Sequence, residues 1–476
     1  MNSFDNYTSK VMCIYQDKDL NPWMSKFVPI IDNYPILSDL VAMLTCFHIS
    51  KGDSELKSMG VEFMLHSFRK LALGLKNDSL PLDVSLASCF MLSLGEIWDK
   101  GVQQQLSHLK SACYFIKKKI EEKSEKEKME QAAIQCSEMV NSTQQNLSCE
   151  NMVVNASDES LELTGNNSVV AVAPSPSSRS SSRNAFDKSY FNFLFSAWQY
   201  MKVLSKASLQ DSREDIVKAD VESINFGEQF KIKKIVISDG EPIDHILGVG
   251  QVLFTIMDTA IDLINYAKDL PDDNYPSNLD DEACDVYDEL LNWKPDLQGI
   301  KNQIGFSTGG NKRYGKSASC KNGEFLNDYI NVAEAYRLST LIMMQNTFPR
   351  LPSSESVQSL AIHVMSVIGN INYDTSPTLT IHIFPLFIAG CEVHSEIDRD
   401  WFRNQLKKLY RRIWCANIQK LTLVMEEVWK RKTRLIQVMK TTGLSFTVDD
   451  YQINGLRSKP NWYQVVKEKN IEIFLG

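Results

Sequence analysis

LSDLVAMLTCFHIS, Leu37–Ser50, decides the fold class. Leu37, Leu40, Val41, Leu44 and Phe47 recur every three or four residues, the spacing that places side chains on one face of an α-helix. Pro35, just ahead of it, suits a first helical turn, where its missing N–H needs no partner. The same period continues outward. It predicts helices over Leu56 to Leu75, over Val84 to Trp98 behind a capping Asp83, and over Leu106 to Ile120. Short polar turns such as Lys76 to Ser79 join them, which predicts antiparallel neighbours.

Beyond Glu121 the composition shifts. EEKSEKEKME extends a solvated helix, and residues 141 to 184 become rich in Ser, Asn and small side chains, with PSPSSRSSSR at Pro174 to Arg183 almost devoid of apolar content. Such a stretch cannot bury enough surface to offset chain entropy and is expected to be a disordered insert, its serines beside arginines open to phosphorylation. Helical patterning resumes at Phe186 with a stripe of Tyr190, Phe191, Phe193, Leu194, Trp198 and Met201, which reads as core. Further helices are predicted over Ile243 to Ala267, Ala283 to Trp293, Phe325 to Phe348, Val357 to Ile368, Arg399 to Tyr410, Ile418 to Arg434 and Trp462 to Lys469. KIKKIVISD, Lys231 to Asp239, is the best candidate for a strand, but no series of strands follows. The chain therefore reads as all-α, a large array of antiparallel helices. It divides into an N-terminal tail (1–20), a first helical part (21–140), the Ser/Asn-rich insert (141–184) and a second helical part (185–476).

The 476 residues suffice for two or three domains at about 150 residues each, or for one large helical one. Hydrophobic residues at 43% against 23% charged exclude wholesale disorder. No apolar run reaches the roughly 18 to 20 residues that span a bilayer, and the start lacks the basic flank and apolar core of a signal peptide, so a soluble, intracellular protein is expected. Ten cysteines contain no C-x2-C pair, the closest two being Cys136 and Cys149, and no structural zinc module or metal site is expected in this chain.

Gly310 to Ser317, GNKRYGKS, fits the phosphate-binding pattern G-x4-G-K-[ST]. That loop works only between a buried strand and a helix, and the flanks LQGIKNQIGFSTG and ASCKNGEF offer neither. A flexible insert is the plainer reading. The seven histidines form no H-x3-H or H-E-x-x-H pair, and single ones such as His48 and His363, on mostly apolar helices, read as satisfied core residues. Gly248-Val-Gly250 lacks the rest of a dinucleotide fingerprint and reads as a turn or kink. No catalytic, cofactor-binding or DNA-contacting residue is assigned, and no enzyme is expected. A basic cluster, Lys407, Lys408, Arg411, Arg412, Lys420, Lys430, Arg431, Lys432 and Arg434, could face phosphates despite a net charge of -8, but Asp400, Glu426 and Glu427 interleave with it as on a solvated helix.

Several ordered blocks resemble the regulatory region of fungal zinc-cluster transcription factors, of the class called fungal-specific transcription factor domain 2. They are NPWMSKFVPI (Asn21 to Ile30), LASCFMLSLGEIWDKG (Leu86 to Gly101), LLNWKP (Leu290 to Pro295), AEAYRLSTLIMM (Ala333 to Met344), FPLFIAGCEV (Phe384 to Val393) with IDRDWFRNQL, MEEVWKR (Met425 to Arg431) and the terminal NWYQVVKEKNIEIFLG. The resemblance implies a nuclear regulator of RNA polymerase II genes whose helical region senses a small-molecule effector, self-associates as a homodimer and contacts coactivators or the transcription machinery. Promoter DNA binding in such proteins uses an N-terminal cluster of six cysteines holding two zinc ions. The first matching block begins about twenty residues from Met1 with no such cluster before it, so no zinc ligand or DNA contact is carried over. DNA binding would then depend on a module outside this chain or on a partner. The alternatives are a helical protein-interaction scaffold without promoter binding and, more remotely, a nucleotide-binding enzyme using Gly310 to Ser317.

Overall fold

A computed structural model describes residues 2–15, 17–99, 108–122, 125, 128, 188–208, 243–269, 277–304, 325–348, 350–441 and 460–476. Two irregular helical turns, Phe4–Thr8 and Ser9–Val11, are followed by a second pair, Trp23–Phe27 and Val28–Asn33. Then come α1 (Pro35–Ile49), α2 (Ser54–Lys76), α3 (Leu82–Asp99), α4 (108–122) and α5 (Lys188–Ser208). The second part holds α6 (Gln251–Asp269), α7 (Ser277–Asn292), α8 (Leu297–Ile304), α9 (Leu326–Thr347) and α10 (Val357–Gly369). The turn Pro377–Ile381 leads into α11 (Ile383–Gly390), α12 (Glu396–Ile413), α13 (Asn417–Thr441) and α14 (Trp462–Lys469). No strand occurs among the described residues, only an isolated bridge between Asp244 and Gly248. The all-α reading holds.

Local chemistry sets the helix ends. Asp53 begins α2 by accepting from the Glu55 and Leu56 N–H groups at 2.9 and 3.3 Å. Ser356, Ser395 and Asn461 cap α10, α12 and α14 in the same way, satisfying N–H groups that the helix itself leaves unpaired. Pro35 occupies the first turn of α1 as the sequence predicts. Asp83 is not the cap of α3: the helix starts at Leu82, and Asp83 is buried within its first turn.

Packing is organised around two hubs. In the first half α1 lies against α2 and α3. In the second, α9 touches α6, α7, α10 and α11, while α5 joins the halves by packing on both α3 and α6. α11, the IFPLFIAG helix, is buried along its whole length, and its Pro385 sits in the first turn, where no intrahelical N–H is lost. Gly390 ends it at a close approach: a Cβ there would fall 2.5 Å from Met425 Sδ and 3.2 Å from the Phe402 ring. The Trp429 indole N–H donates to the Gly390 carbonyl at 2.8 Å through that contact.

Three expectations change. Residues 1–20 do not form a tail, because Phe4, Thr8, Cys13, Ile14 and Tyr15 are buried in the common core. The helix expected from Ile243 begins at Gln251; Ile243 to Gly250 is instead a turn, closed by Asp244 and Gly248 with Gly248 at φ +57°, a left-handed conformation that glycine adopts without strain. His363 is exposed rather than part of the core. The insert at 141–184, the strand candidate at 231–239 and the glycine-rich loop at 310–317 lie outside the described residues.

Candidate functional site

The N-terminal segment is fixed by the Asn-Pro-Trp block. The Asn21 side-chain amide donates to the Ser9 carbonyl at 3.0 Å while its oxygen accepts from the Trp23 N–H, also at 3.0 Å. The Trp23 indole N–H donates to the Met12 carbonyl at 3.1 Å, and its ring stacks on Phe90 of α3 at 5.9 Å. On its other side the segment meets the turn before α6: Ile14 N–H donates to the His245 carbonyl at 2.9 Å, and the Tyr15 hydroxyl to the Ile243 carbonyl at 3.2 Å. Val11 to Ile14 are thereby held as one wall of a cavity of about 310 Å³.

The other walls come from distant parts of the chain. α1 contributes Phe47 and His48; α3 contributes Phe90, Leu94, Ile97 and Trp98; α5 contributes Ala197, Tyr200 and Met201. The segment Thr380 to Ile383, the α12–α13 corner and the final residues around Phe474 close the remainder. The corner and the final residues are joined by Asn417, whose side chain accepts from the Phe474 N–H at 3.0 Å and donates to the Phe474 carbonyl. The Ser208 hydroxyl accepts from Leu475 N–H at 3.0 Å, so the end of α5 holds the same segment.

Most polar groups in these walls are already answered. His48 Nε2 lies 2.8 Å from the Ile413 carbonyl, which makes Nε2 the protonated nitrogen, and Nδ1 accepts from the Thr8 hydroxyl at 3.0 Å. Burial lowers the His48 pKa, so the ring is neutral near pH 7. Burial likewise raises the Cys415 thiol against the opposing Asn417 and Ile418 N–H groups. The exposed Lys57 pairs with the buried side chain of Asp99 at 3.1 Å, and the Lys51 ammonium lies 3.5 Å from the Trp414 ring centroid. Lys51 and Trp414 both have left-handed backbones, φ +45° and +55°, a conformation costing side-chain-bearing residues roughly 1 kcal/mol or more and found where surrounding structure enforces it. Lys420 and Glu472 complete the rim.

The arrangement can enclose a largely apolar molecule. Among the described residues no group of three or more His, Cys, Asp or Glu side chains could hold a metal ion, and no helix is long and apolar enough to cross a membrane. The basic cluster divides. Arg431 pairs with Glu427 and Glu468, and Lys432 with buried Glu392 at 2.7 Å, whereas Lys407, Lys408, Arg411 and Arg412 are exposed with no carboxylate partner among the described residues. The sequence reading assigned no site residue and missed the cavity. Its available signals were the VMCIY run at Val11 to Tyr15 and the fact that two of the quoted blocks, the one holding Leu94 and Trp98 and the one holding Phe474, feed residues into it.

Neither the curated proteins nor the solved structures give a match to this chain. A family model does: the one described as Fungal specific transcription factor domain matches residues 1–476, and the chain belongs to that family.

Proposed function

We propose that the chain is the effector-responsive regulatory region of a nuclear transcription regulator acting on RNA polymerase II genes. The family supplies the transcriptional role. The observation that carries the finer reading is the cavity, whose walls bring together the N-terminal segment, α1, α3, α5, the α12–α13 corner and the final residues. An effector that prefers the closed arrangement of these elements shifts the population toward it and changes the surface offered to coactivators or the transcription machinery. The energy scale is adequate. Burying roughly 200 Å² of apolar ligand at about 25 cal/mol/Å² yields about 5 kcal/mol, close to the ~5.5 kcal/mol of differential binding that moves a population from 1:99 to 99:1.

Promoter association is direct through a DNA-binding module or indirect through a partner, and homodimerisation is the family expectation. Chromatin profiling of the tagged protein, with transcript profiling of its deletion, tests the reading. It predicts occupied promoters whose transcripts change on deletion. Empty promoters and unchanged transcripts would favour the helical scaffold.

A further inference from the structure

The C-terminal half of α12 carries four exposed cations that no carboxylate among the described residues answers: Lys407, Lys408, Arg411 and Arg412. We propose that this face docks a short acidic segment of a partner protein, whose carboxylates pair with the four cations.

The helix itself sets the arrangement. Leu406, Leu409 and Ile413 are buried, so the residues between them face outward, with Lys407 and Arg411, and Lys408 and Arg412, in register at the i,i+4 spacing. At 1.5 Å of rise per residue the four stand within about 8 Å along the axis, beside the exposed Asn404 one turn back. Like charges at this spacing weaken a helix unless an anion answers them. The negative end of the helix dipole offsets Arg411 and Arg412 in the last turn, but not the lysine pair one turn earlier. Other cations of α12 and α13 are matched within the chain: Arg399 to Glu396, Arg403 to Glu396, Asp400 and Glu426, and Arg431 to Glu427 and Glu468. The bare group is thus a local surplus of positive charge in a chain with 59 acidic against 51 basic side chains. The Tyr373 ring, 5.5 Å from the Lys408 ammonium, steadies one of the four.

Size selects the anion. Glu396 and Asp400 are exposed on the N-terminal half of the same helix, and the chain carries a net charge of -8. A nucleic acid running along α12 would leave the cations and meet those carboxylates, whereas a few acidic side chains fit within the patch and end there. None of the four residues lines the cavity, so the proposal stands apart from the effector reading.

Labelled octaglutamate, titrated with the full chain at low ionic strength and followed by fluorescence anisotropy, is the probe, with octaglutamine and a DNA duplex beside it. The variants are Lys407→Gln with Lys408→Gln, Arg411→Gln with Arg412→Gln, and Arg69→Gln with Lys76→Gln on α2, a control that removes the same charge elsewhere. All six side chains are exposed, so each variant should keep the wild-type thermal midpoint. The expected result is that octaglutamate binds the wild type and octaglutamine does not. Each α12 double variant should weaken octaglutamate by roughly three- to thirtyfold, the range two exposed ion pairs supply, and the α2 control by less than about twofold. No octaglutamate binding by the folded wild type, or an equal loss in the α2 control, overturns the docking face. DNA bound more tightly than octaglutamate, with its loss confined to the α12 variants, overturns the acidic segment in favour of nucleic acid. A wild-type dimer that both α12 variants dissociate overturns it in favour of a second copy of the chain.

Discussion

His382 shows what burial does to a single side chain here. It is fully buried before α11, its Nε2 lies 3.0 Å from the Thr378 hydroxyl, and that hydroxyl lies 3.0 Å from Ser376 Oγ. Nδ1 has no partner among the described residues. Burial pulls its pKa from 6.5 down to about 3. The unfolded chain therefore binds this proton more readily than the folded one. The stability is fully present above about pH 6.5 and is lost as pH falls toward 3, by at most about 1.4 kcal/mol per unit. Urea unfolding from pH 7 to 5 should show a decline that is smaller in His382→Gln, by about 1 to 2 kcal/mol across that interval. Parallel declines in the two proteins would contradict the assignment. His48 and His363 mark the limit of reading single residues from sequence. Both sit on apolar helical patterns, yet one faces Thr8 and Ile413 inside the protein and the other faces solvent.

At the scale of elements, the pairing of α5 with α6 is specified by polar groups as well as by the aromatic stripe. Ser196 donates to Asp244 at 2.5 Å and Gln199 to Thr255 at 3.2 Å. Lys202 and Lys206 both reach Asp258, at 2.7 and 2.9 Å, and Lys206 also reaches Asp262 at 2.7 Å. Burial depresses the Lys202 pKa more than Asp258 restores it, whereas for Lys206 the two carboxylates outweigh burial and raise it. Asp258→Ala removes the buried carboxylate that Lys202 and Lys206 share. It should cost about 3 to 5 kcal/mol in chemical denaturation, against under about 1 kcal/mol for the part-buried Thr255→Val. Equal, small losses would show that the seam is not specifying the pairing. Helical period made nearly every element legible, since a 3.6-residue repeat is local information. The seam was not legible: a lysine on an aromatic stripe is interior only because its carboxylates arrive from a helix more than 50 residues away. The same limit hid the start of α6, where the apolar run continues through a turn fixed by Gly248.

Across the whole molecule, the cavity depends on segments from both ends of the chain meeting between the two helical halves. The first twenty residues read as a tail because VMCIY is too short to show a period, and its anchors lie far along the chain: Cys13 and its partner His245 are 232 positions apart. The measurement closest to the central claim fuses the full chain to an unrelated DNA-binding module and reads a reporter with the cavity open or filled. Ala197, which is 2% exposed and lines the cavity, is changed to Phe, with equal protein abundance and an unchanged thermal midpoint as controls. If cavity occupancy governs the regulator, Ala197→Phe shifts reporter output by at least about fivefold, the lower end of ordinary coupling between sites. Output equal to the wild type from a folded Ala197→Phe protein would contradict the account.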